Sequence, residues 1–175
     1  MVPGDSTRPV MDRVKEALFN ILGPSAVQGS TWLDLFAGTG SIGIEALSRG
    51  AERVLFIDNN RMAIRTIQEN LDHTRLAERA EVQRADAFVY LHQQNPEPFE
   101  YVYVAPPQYE GLWKDALLAL DANPAHLHPD GVVIVQIDPH EREELELAVL
   151  VPYDDRTYGN TLLWFFERPV DEDAG

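Results

Sequence analysis

A glycine-rich segment in the N-terminal half has the spacing of a nucleotide-binding loop. Gly38, Gly40 and Gly43 follow the G-x-G-x-x-G pattern of dinucleotide-binding proteins. Asp58 follows 20 positions after Gly38, where a ribose-binding carboxylate would stand. Asp34, however, precedes Gly38 by four residues, where the strand leading into such a loop is normally apolar. Because a carboxylate beside a diphosphate is electrostatically unfavourable, the loop alone leaves the identity of the nucleotide open.

Three acidic residues stand near the ends of the first three predicted strands, at Asp34, Asp58 and Asp86. An adenosyl sulfonium ligand has no phosphate and carries an ammonium group and a positive sulfur, so a carboxylate at Asp34 suits it, directly or through water. Asp58 can accept both ribose hydroxyls, and Asp86 can accept the adenine amino group beside the backbone amide of Ala87. Each acid alone is better explained as a helix N-cap or turn residue. Together with the glycine loop they favour S-adenosylmethionine, and the candidate cofactor-binding residues are Asp34, Phe36, Ala37, Gly38, Thr39, Gly40, Asp58, Asn59, Asp86 and Ala87.

The elements that position these residues are short β-rich runs that alternate with helical patterns, which predicts parallel βαβ units. Five strands are predicted, over 31–36, 53–58, 80–85, 101–105 and 131–137. Helices are predicted between and before them, over 12–22, 41–49, 60–73, 87–94 and 112–120. Ligands of open α/β sheets bind outside the carboxyl ends of the strands, so we expect the three acids to line one crevice there.

The C-terminal part follows a different pattern. Segments 148–155 and 160–167 flank "RTYG" at 156–159 and leave no room for a crossover helix, so an antiparallel hairpin is predicted. The hairpin completes a seven-stranded, mostly parallel α/β sheet, which differs from a dinucleotide fold built from two equal halves. We expect one domain over residues 1–170 and a solvated acidic tail over 171–175.

Charge and composition restrict the function further. The net charge of −15 argues against a simple nucleic-acid binder, but residues 1–84 carry 11 acids and 10 Lys or Arg, whereas 85–175 carry 18 acids and 4. A polyanion would therefore approach the N-terminal half, where Arg8, Arg13 and Lys15 cluster. The absence of cysteine and the scattered histidines predict no metal site. No apolar run is long enough for a membrane helix, so a cytoplasmic protein is expected.

Three longer segments are similar to one known family. "TRPVMDRVKEALFNIL" at 7–22, "LDLFAGTGSIGIEALSRGA" at 33–51 and "VLFIDNNRMAIRTIQENL" at 54–71 resemble the RsmD family, and the similarity extends over about 7–168. The resemblance implies a Rossmann-like class I methyltransferase fold and a monomer. It implies methyl transfer from S-adenosylmethionine to the exocyclic N2 of a guanine in bacterial small-subunit (16S) rRNA. It also implies that Arg8 to Arg13 lies over the cofactor site, and the candidate RNA-contacting residues are Arg8, Arg13 and Lys15.

The segment after the fourth predicted strand departs from the family motif, which is Asp or Asn, two prolines and an aromatic residue. Here it reads APPQY, and the candidate catalytic residues are Ala105, Pro106, Pro107, Gln108 and Tyr109. The lone pair of a guanine amino group is delocalised into the ring, so acceptors on its N–H groups are needed to direct it at the methyl group. Ala105 has no side-chain acceptor, but its carbonyl and that of Pro106 remain, Gln108 can supply an amide oxygen, and Tyr109 can supply a ring for a flipped-out base.

The altered motif leaves several outcomes open. The site can use Gln108 and Tyr109 in substitute roles, work slowly, or bind the cofactor without turnover, in which case the chain is a ribosome-assembly partner. A rigid loop without chemistry is a further reading. A nicotinamide-dependent oxidoreductase would need a second catalytic set, yet neither Lys15 nor Lys114 follows a tyrosine by three or four residues. The acidic charge favours an assembling ribosomal particle over naked RNA as the substrate.

Overall fold

A computed structural model describes residues 8–170 of the 175-residue chain. Seven strands lie along the chain, and the first five alternate with helices. The strands are β1 Thr31–Asp34, β2 Arg53–Asp58, β3 Ala80–Arg84, β4 Phe99–Val104, β5 Leu127–Ile137, β6 Val151–Tyr158 and β7 Thr161–Glu167. The α-helices are α1 Arg8–Leu22, α2 Pro24–Val27, α3 Ser41–Ser48, α4 Arg61–Thr74, α5 Ala87–Leu91 and α6 Leu112–Ala122, and single 3-10 turns lie at Ala77–Arg79, Pro124–His126 and Pro139–Glu141.

All seven strands form one sheet, in the order β3-β2-β1-β4-β5-β7-β6. Strands β1 to β5 pair in parallel, whereas β7 runs antiparallel to both β5 and β6. The predicted seven-stranded, mostly parallel α/β sheet with a C-terminal antiparallel hairpin is therefore confirmed. The chain order reverses between β1 and β4, and such a point in an open sheet is where ligands bind.

Helices cover both faces of the sheet. On one face α5 and α6 bury Leu91, Trp113 and Leu117 against the strands. On the other face α1, α3 and α4 pack through residues such as Leu18 and Leu47. Because both faces are covered, the central strands are apolar on both sides, which explains the near-continuous hydrophobic runs in their sequences.

Glycine is required where α3 crosses the sheet. A Cβ at Gly43 would lie 2.8 Å from Cγ1 of Val54 and even closer to the Phe56 ring. The third glycine of the loop motif therefore allows close packing of α3 on β2, which brings the start of the helix to the end of β1.

Several element boundaries differ from the predictions. A short helix, α2, follows Gly23 because Pro24 is well suited to a first helical position. Strand β5 begins at Leu127, four residues before the predicted start. The hairpin turn is not "RTYG" but the two residues Gly159 and Asn160, because Tyr158 pairs with Thr161. Gly159 has a φ of 57°, the left-handed conformation that two-residue hairpin loops require.

Among residues 8–170, no helix is both long enough and apolar enough to cross a membrane.

Candidate functional site

A cavity of about 500 Å³ lies at the carboxyl ends of the parallel strands, at the reversal in chain order. Its wall joins residues that are distant in the sequence. Those predicted to bind the cofactor are Phe36, Gly38, Asp58, Asn59, Asp86 and Ala87, and those predicted to be catalytic are Ala105, Pro106, Pro107 and Gln108. The structure therefore places most of the cofactor set and most of the APPQY segment around one space.

Five predicted residues are not on this wall. They are Asp34, Ala37, Thr39, Gly40 and Tyr109. Ala37 is buried, and the carbonyl of Thr39 accepts a hydrogen bond from the Asn70 amide, so both shape the loop from outside the cavity. Gly40 is left-handed (φ 79°) and precedes α3, where it acts as the N-cap. The sequence could not show which loop residues line the cavity, because this depends on backbone angles that several residue types can adopt.

Asp58 fixes the glycine loop to the end of β2. Its Oδ2 accepts a hydrogen bond from the Gly38 N–H at 2.9 Å, and its Oδ1 accepts one from the Asn60 N–H at 2.9 Å. Both contacts use backbone amides, so the carboxylate is held in place while it still lines the cavity. A carboxylate held in this way can accept from vicinal hydroxyls with little loss of freedom on binding.

Asp86 caps a helix, which is the alternative explanation that the sequence analysis gave for an acid after a strand. Its Oδ1 accepts hydrogen bonds from the Phe88 and Val89 N–H groups at 2.8 and 3.1 Å, so it is the N-cap of α5. It also lines the cavity. The capping bonds orient the carboxyl group, so structural and binding roles are compatible here.

Apolar residues that the sequence prediction missed complete the wall. Leu35, Phe88 and Leu112 are the missed residues, and Phe88 meets the predicted Phe36 edge to face, with ring centroids 6.2 Å apart. Phe88 stands two residues after Asp86, so its place in the first turn of α5 could have indicated that it lies near the cavity. Apolar surfaces of this kind suit the faces of a purine ring.

Asp34 lies beneath the loop instead of on the cavity wall. The residue is 2% exposed, and its Oδ2 accepts a hydrogen bond from the Gly43 N–H at 3.2 Å, in the first turn of α3. The amides at a helix N-terminus attract a carboxylate, which explains this orientation. Burial raises the pKa of Asp34 to about 7, although the Gly43 hydrogen bond partly offsets the rise.

The APPQY segment turns away from the cavity at its last residue. Tyr109 has a φ of 63°, and its ring is exposed. Its hydroxyl donates to Asp138 Oδ2 at 2.6 Å and its N–H donates to Glu141 Oε1 at 2.7 Å. These contacts join the loop after β4 to the turn after β5. Asp138 and Glu141 were absent from the predicted site because 29 and 32 residues separate them from Tyr109.

The three predicted RNA-contacting residues have different environments. Arg8 begins α1, and its side chain lies outside the described part of the structure. Arg13 is exposed on the same helix. Lys15 forms an ion pair with Glu45 Oε1 at 3.5 Å and donates to Ser41 Oγ at 3.2 Å. The Glu45 carboxylate therefore compensates part of the positive charge of Lys15.

Within residues 8–170, no group of three or more His, Cys, Asp or Glu side chains is arranged to hold a metal ion. The described cavity wall contains no lysine, histidine, serine or tyrosine, the residue types on which the oxidoreductase alternative depends.

Comparison with known proteins supplies the family. Residues 1–167 match the family described as Conserved hypothetical protein 95. The chain belongs to this family. It is 42% identical to YlbH, a candidate rRNA methyltransferase of Bacillus subtilis, over 172 residues that cover 95% of this chain and 91% of YlbH. It is 38% identical to ribosomal RNA small subunit methyltransferase D of Haemophilus influenzae over 136 residues, 77% of this chain and 69% of that protein.

Solved structures agree with this assignment to the RsmD family. A candidate methyltransferase of Escherichia coli, yhhF, superposes with a TM-score of 0.82 at 28% identity, covering 91% of this chain and 87% of that one. An RNA methyltransferase of Salinibacter ruber, solved with S-adenosyl-L-homocysteine, has a TM-score of 0.65 at 17% identity and covers 96% and 97% of the two chains, a likeness of fold alone. The predictions of the family, of the Rossmann-like fold and of the S-adenosylmethionine-dependent methyltransferase class are confirmed.

Proposed function

We propose that this chain transfers the methyl group of S-adenosylmethionine to the exocyclic N2 of a guanine in bacterial small-subunit (16S) rRNA. The observation that carries this proposal is the single cavity that joins Asp58 and Asp86 to the Pro106–Gln108 segment. An adenosyl ligand held by the acids would have its reactive end facing the loop at which a base can enter. The relatives named as rRNA methyltransferases support the choice of RNA as substrate.

The cavity wall fits the chemistry of the adenosyl group. Asp58, Asp86 and Ala87 line the cavity, so Asp58 could accept the ribose hydroxyls, and Asp86 and the Ala87 amide could bind the adenine edge. Phe36 and Phe88 provide apolar surface for the ring. No lysine or arginine belongs to the described wall, so no cationic side chain there would compensate the charge of a diphosphate. When bound, S-adenosylmethionine supplies a methyl group attached to a positively charged sulfur.

Acceptor groups of this chain would activate the guanine. The carbonyls of Ala105 and Pro106 and the side-chain oxygen of Gln108 can accept from the N–H groups of the base, which localises the nitrogen lone pair. Pro106 and Pro107 restrict the backbone, which limits the movement of the Ala105 and Pro106 carbonyls. Neither proline has an N–H group that could donate to them. Such positioning promotes direct displacement at the methyl carbon without a strong base.

The remaining parts of the proposal concern the context of the reaction. The substrate is rRNA within an assembling particle, because the charge of −15 disfavours extensive contact with naked RNA. The RNA approaches the side of the molecule on which Arg13 is exposed on α1, the helix that begins at Arg8. The protein acts as a single cytoplasmic domain over residues 1–170 and as a monomer, without a metal.

A methyl-transfer assay tests the proposal. Tritiated S-adenosylmethionine is supplied with small subunits from cells that lack the endogenous activity, and with the naked RNA, and the labelled nucleotide is mapped. We expect label on guanine N2, with more label on particles. Gln108→Ala should lower kcat about 10²-fold, the usual loss for one such transition-state hydrogen bond, with unchanged S-adenosylhomocysteine affinity.

Restoring the family acidic residue provides a second arm of this assay. Ala105→Asp should raise kcat, because it places a side-chain acceptor at the position where the family motif has Asp or Asn and this chain has alanine. Tight S-adenosylhomocysteine binding without transfer to any RNA would favour the non-catalytic assembly partner instead.

A further inference from the structure

Tyr109 has a conformation that needs support from its surroundings. It is a bulky residue in the left-handed region, with a φ of 63°, and the residue is 66% exposed. A strained backbone with an exposed ring has little core packing to maintain it, so other contacts must fix the conformation.

Two acidic residues after β5 supply those contacts. Asp138 accepts the Tyr109 hydroxyl at 2.6 Å, and Glu141 accepts the Tyr109 backbone N–H at 2.7 Å. The two bonds hold opposite ends of one residue, the backbone and the tip of the ring. We call this pair, Asp138 and Glu141, the acidic anchor.

The acidic anchor is itself rigid. Asp138 Oδ1 accepts hydrogen bonds from the backbone N–H and the Nδ1 of His140, both at 2.8 Å, and the Asp138 N–H donates to Glu141 Oε2 at 3.4 Å. This is a capping box on the 3-10 turn Pro139–Glu141. The Tyr109 hydroxyl, followed by the groups of His140, lowers the pKa of Asp138 to about 2, so this carboxyl is ionised at neutral pH.

The anchored residue stands one position beyond the proposed base site in the chain. Gln108, next to Tyr109 in the chain, lines the cavity together with both prolines. An exposed aromatic ring fixed at such a position is a surface on which an unpaired base can stack. Anchoring in advance reduces the ordering cost of that stacking.

We propose that Asp138 and Glu141 are positioning residues that hold the Tyr109 ring as the stacking surface for the target purine. This rests on the proposed function. It accounts for an aromatic residue one position later than in the family motif, because the left-handed turn and the acidic anchor redirect the ring.

The anchor itself is tested without any substrate. Tyrosine is labelled with ¹³C at the ring carbon that bears the hydroxyl, and the Tyr109 resonance is assigned by its loss in Tyr109→Phe. Asp138 raises the pKa of Tyr109 in the parent, so in Asp138→Ala this resonance should titrate at lower pH. An unchanged titration would overturn the proposal, whatever the enzyme's activity.

Kinetics then test the consequence for the base. Asp138→Ala and Tyr109→Ala should each raise the KM for RNA about 10-fold, within the range measured when base stacking is lost, while S-adenosylhomocysteine affinity stays unchanged. Tyr109→Phe keeps the ring and loses the anchoring hydroxyl, so it should behave like Asp138→Ala. Glu143→Gln is the matched control, because Glu143 is an exposed acid nearby that pairs with Lys114 at 2.8 Å.

A double-mutant cycle distinguishes the proposed pair from two independent effects. Tyr109→Phe combined with Asp138→Ala should raise KM no more than the larger single change, because both remove the same hydrogen bond. If the two changes raise KM by the product of their single effects, or if the variants keep the KM of the parent in an active enzyme, the positioning role is overturned and the proposed function stays intact. A parent without activity on any RNA would overturn the proposed function, and the stacking role with it, although the titration would still report the anchor.

Discussion

The three carboxylates at the strand ends share a residue type but differ in environment. Asp58 and Asp86 line the cavity, and each accepts two backbone N–H groups. Asp34 is buried with one such bond, from Gly43. Burial penalises the charged form of a carboxyl group unless hydrogen bonds or a cation compensate it, so the pKa of Asp34 is raised to about 7.

The raised pKa of Asp34 makes stability depend on pH in a definite direction. The folded value of about 7 exceeds the unfolded value of 3.8, so the folded state retains a proton that the unfolded state has lost between these pH values. The stabilising contribution is therefore complete below pH 3.8 and is lost as pH rises through 7. Asp34→Asn should be more stable than the parent at pH 8, by on the order of 3 kcal/mol in the free energy of unfolding, and similar to it at pH 4.

Urea unfolding at both pH values checks this expectation. Asp72→Asn, on the exposed surface of α4, serves as the control and should not change the difference between pH 4 and pH 8. If Asp34→Asn and the parent lose stability equally from pH 4 to pH 8, burial does not control this carboxyl group.

At the scale of elements, α4 has a charge pattern opposite to the one its dipole prefers. Arg61 and Arg65 occupy its first two turns, no acid stands in the first turn, and Glu69 and Asp72 stand nearer its end. Cations destabilise a helix N-terminus, so this arrangement reduces helix stability. Arg84, at the end of β3, donates through Nε to the Asn59 carbonyl just before α4. Within residues 8–170 none of these three arginines forms an ion pair.

Arg84 directly precedes Ala85 and Arg61 follows Asn59 by two residues, and both Ala85 and Asn59 line the cavity. We therefore predict that Arg61, Arg65 and Arg84, all exposed, contact RNA phosphates together with Arg13. Arg61→Gln combined with Arg65→Gln should weaken RNA binding and reduce the slope of log affinity against log salt concentration by about 1 to 2. The same change should stabilise α4 slightly, because it removes charge from the positive end of the dipole. Filter binding over a range of salt concentrations measures the slope.

Arg75→Gln is the matched control, since Arg75 is exposed at the opposite end of α4. An equal loss of slope in Arg75→Gln would show that the effect reflects net charge, and not this surface.

The order and type of the larger elements could be predicted because each has a local signal. Periodicity indicated five βα units, and the short spacing before residue 160 excluded a crossover helix. The turn at Gly159 and Asn160 had a local signal, because Gly-Asn is typical of two-residue hairpin loops, but the prediction placed the turn at 156–159. Strand β5 was predicted too short because Pro129 and Gly131 resemble a loop, although β4 pairs beyond them.

The site was predictable where residues follow strands directly, as Asp58 and Asp86 do. The burial of Asp34 depends on how closely α3 approaches the sheet, which the sequence does not specify. The acidic anchor depends on contact between loops that follow different strands, and no local pattern connects Tyr109 with Asp138. Lys15 was predicted to contact RNA because it belongs to a basic cluster in the sequence. Its ion pair with Glu45 has no local signal, since it arises only when α1 packs beside α3.

Across the whole molecule, charge is divided between the two halves of the chain. Residues 85–175 carry 18 acids and 4 Lys or Arg, whereas residues 1–84 are nearly balanced. Strands β1 and β2, the glycine loop and α4 all belong to the balanced half. A polyanion is therefore repelled less by the half of the chain that carries the exposed Arg13, Arg61 and Arg65, which gives the substrate a preferred direction of approach.

The central claim is that the carboxylates of this cavity select an adenosyl-sulfur compound over a dinucleotide. Calorimetric titration of the full chain with S-adenosylhomocysteine and with NAD tests it most directly, with Asp58→Ala and the surface control Asp72→Ala titrated in parallel. We predict saturable S-adenosylhomocysteine binding, no NAD binding, and at least a roughly 10-fold weaker affinity in Asp58→Ala alone. Binding of NAD in place of S-adenosylhomocysteine, or an Asp58→Ala variant with parental affinity, would contradict the claim.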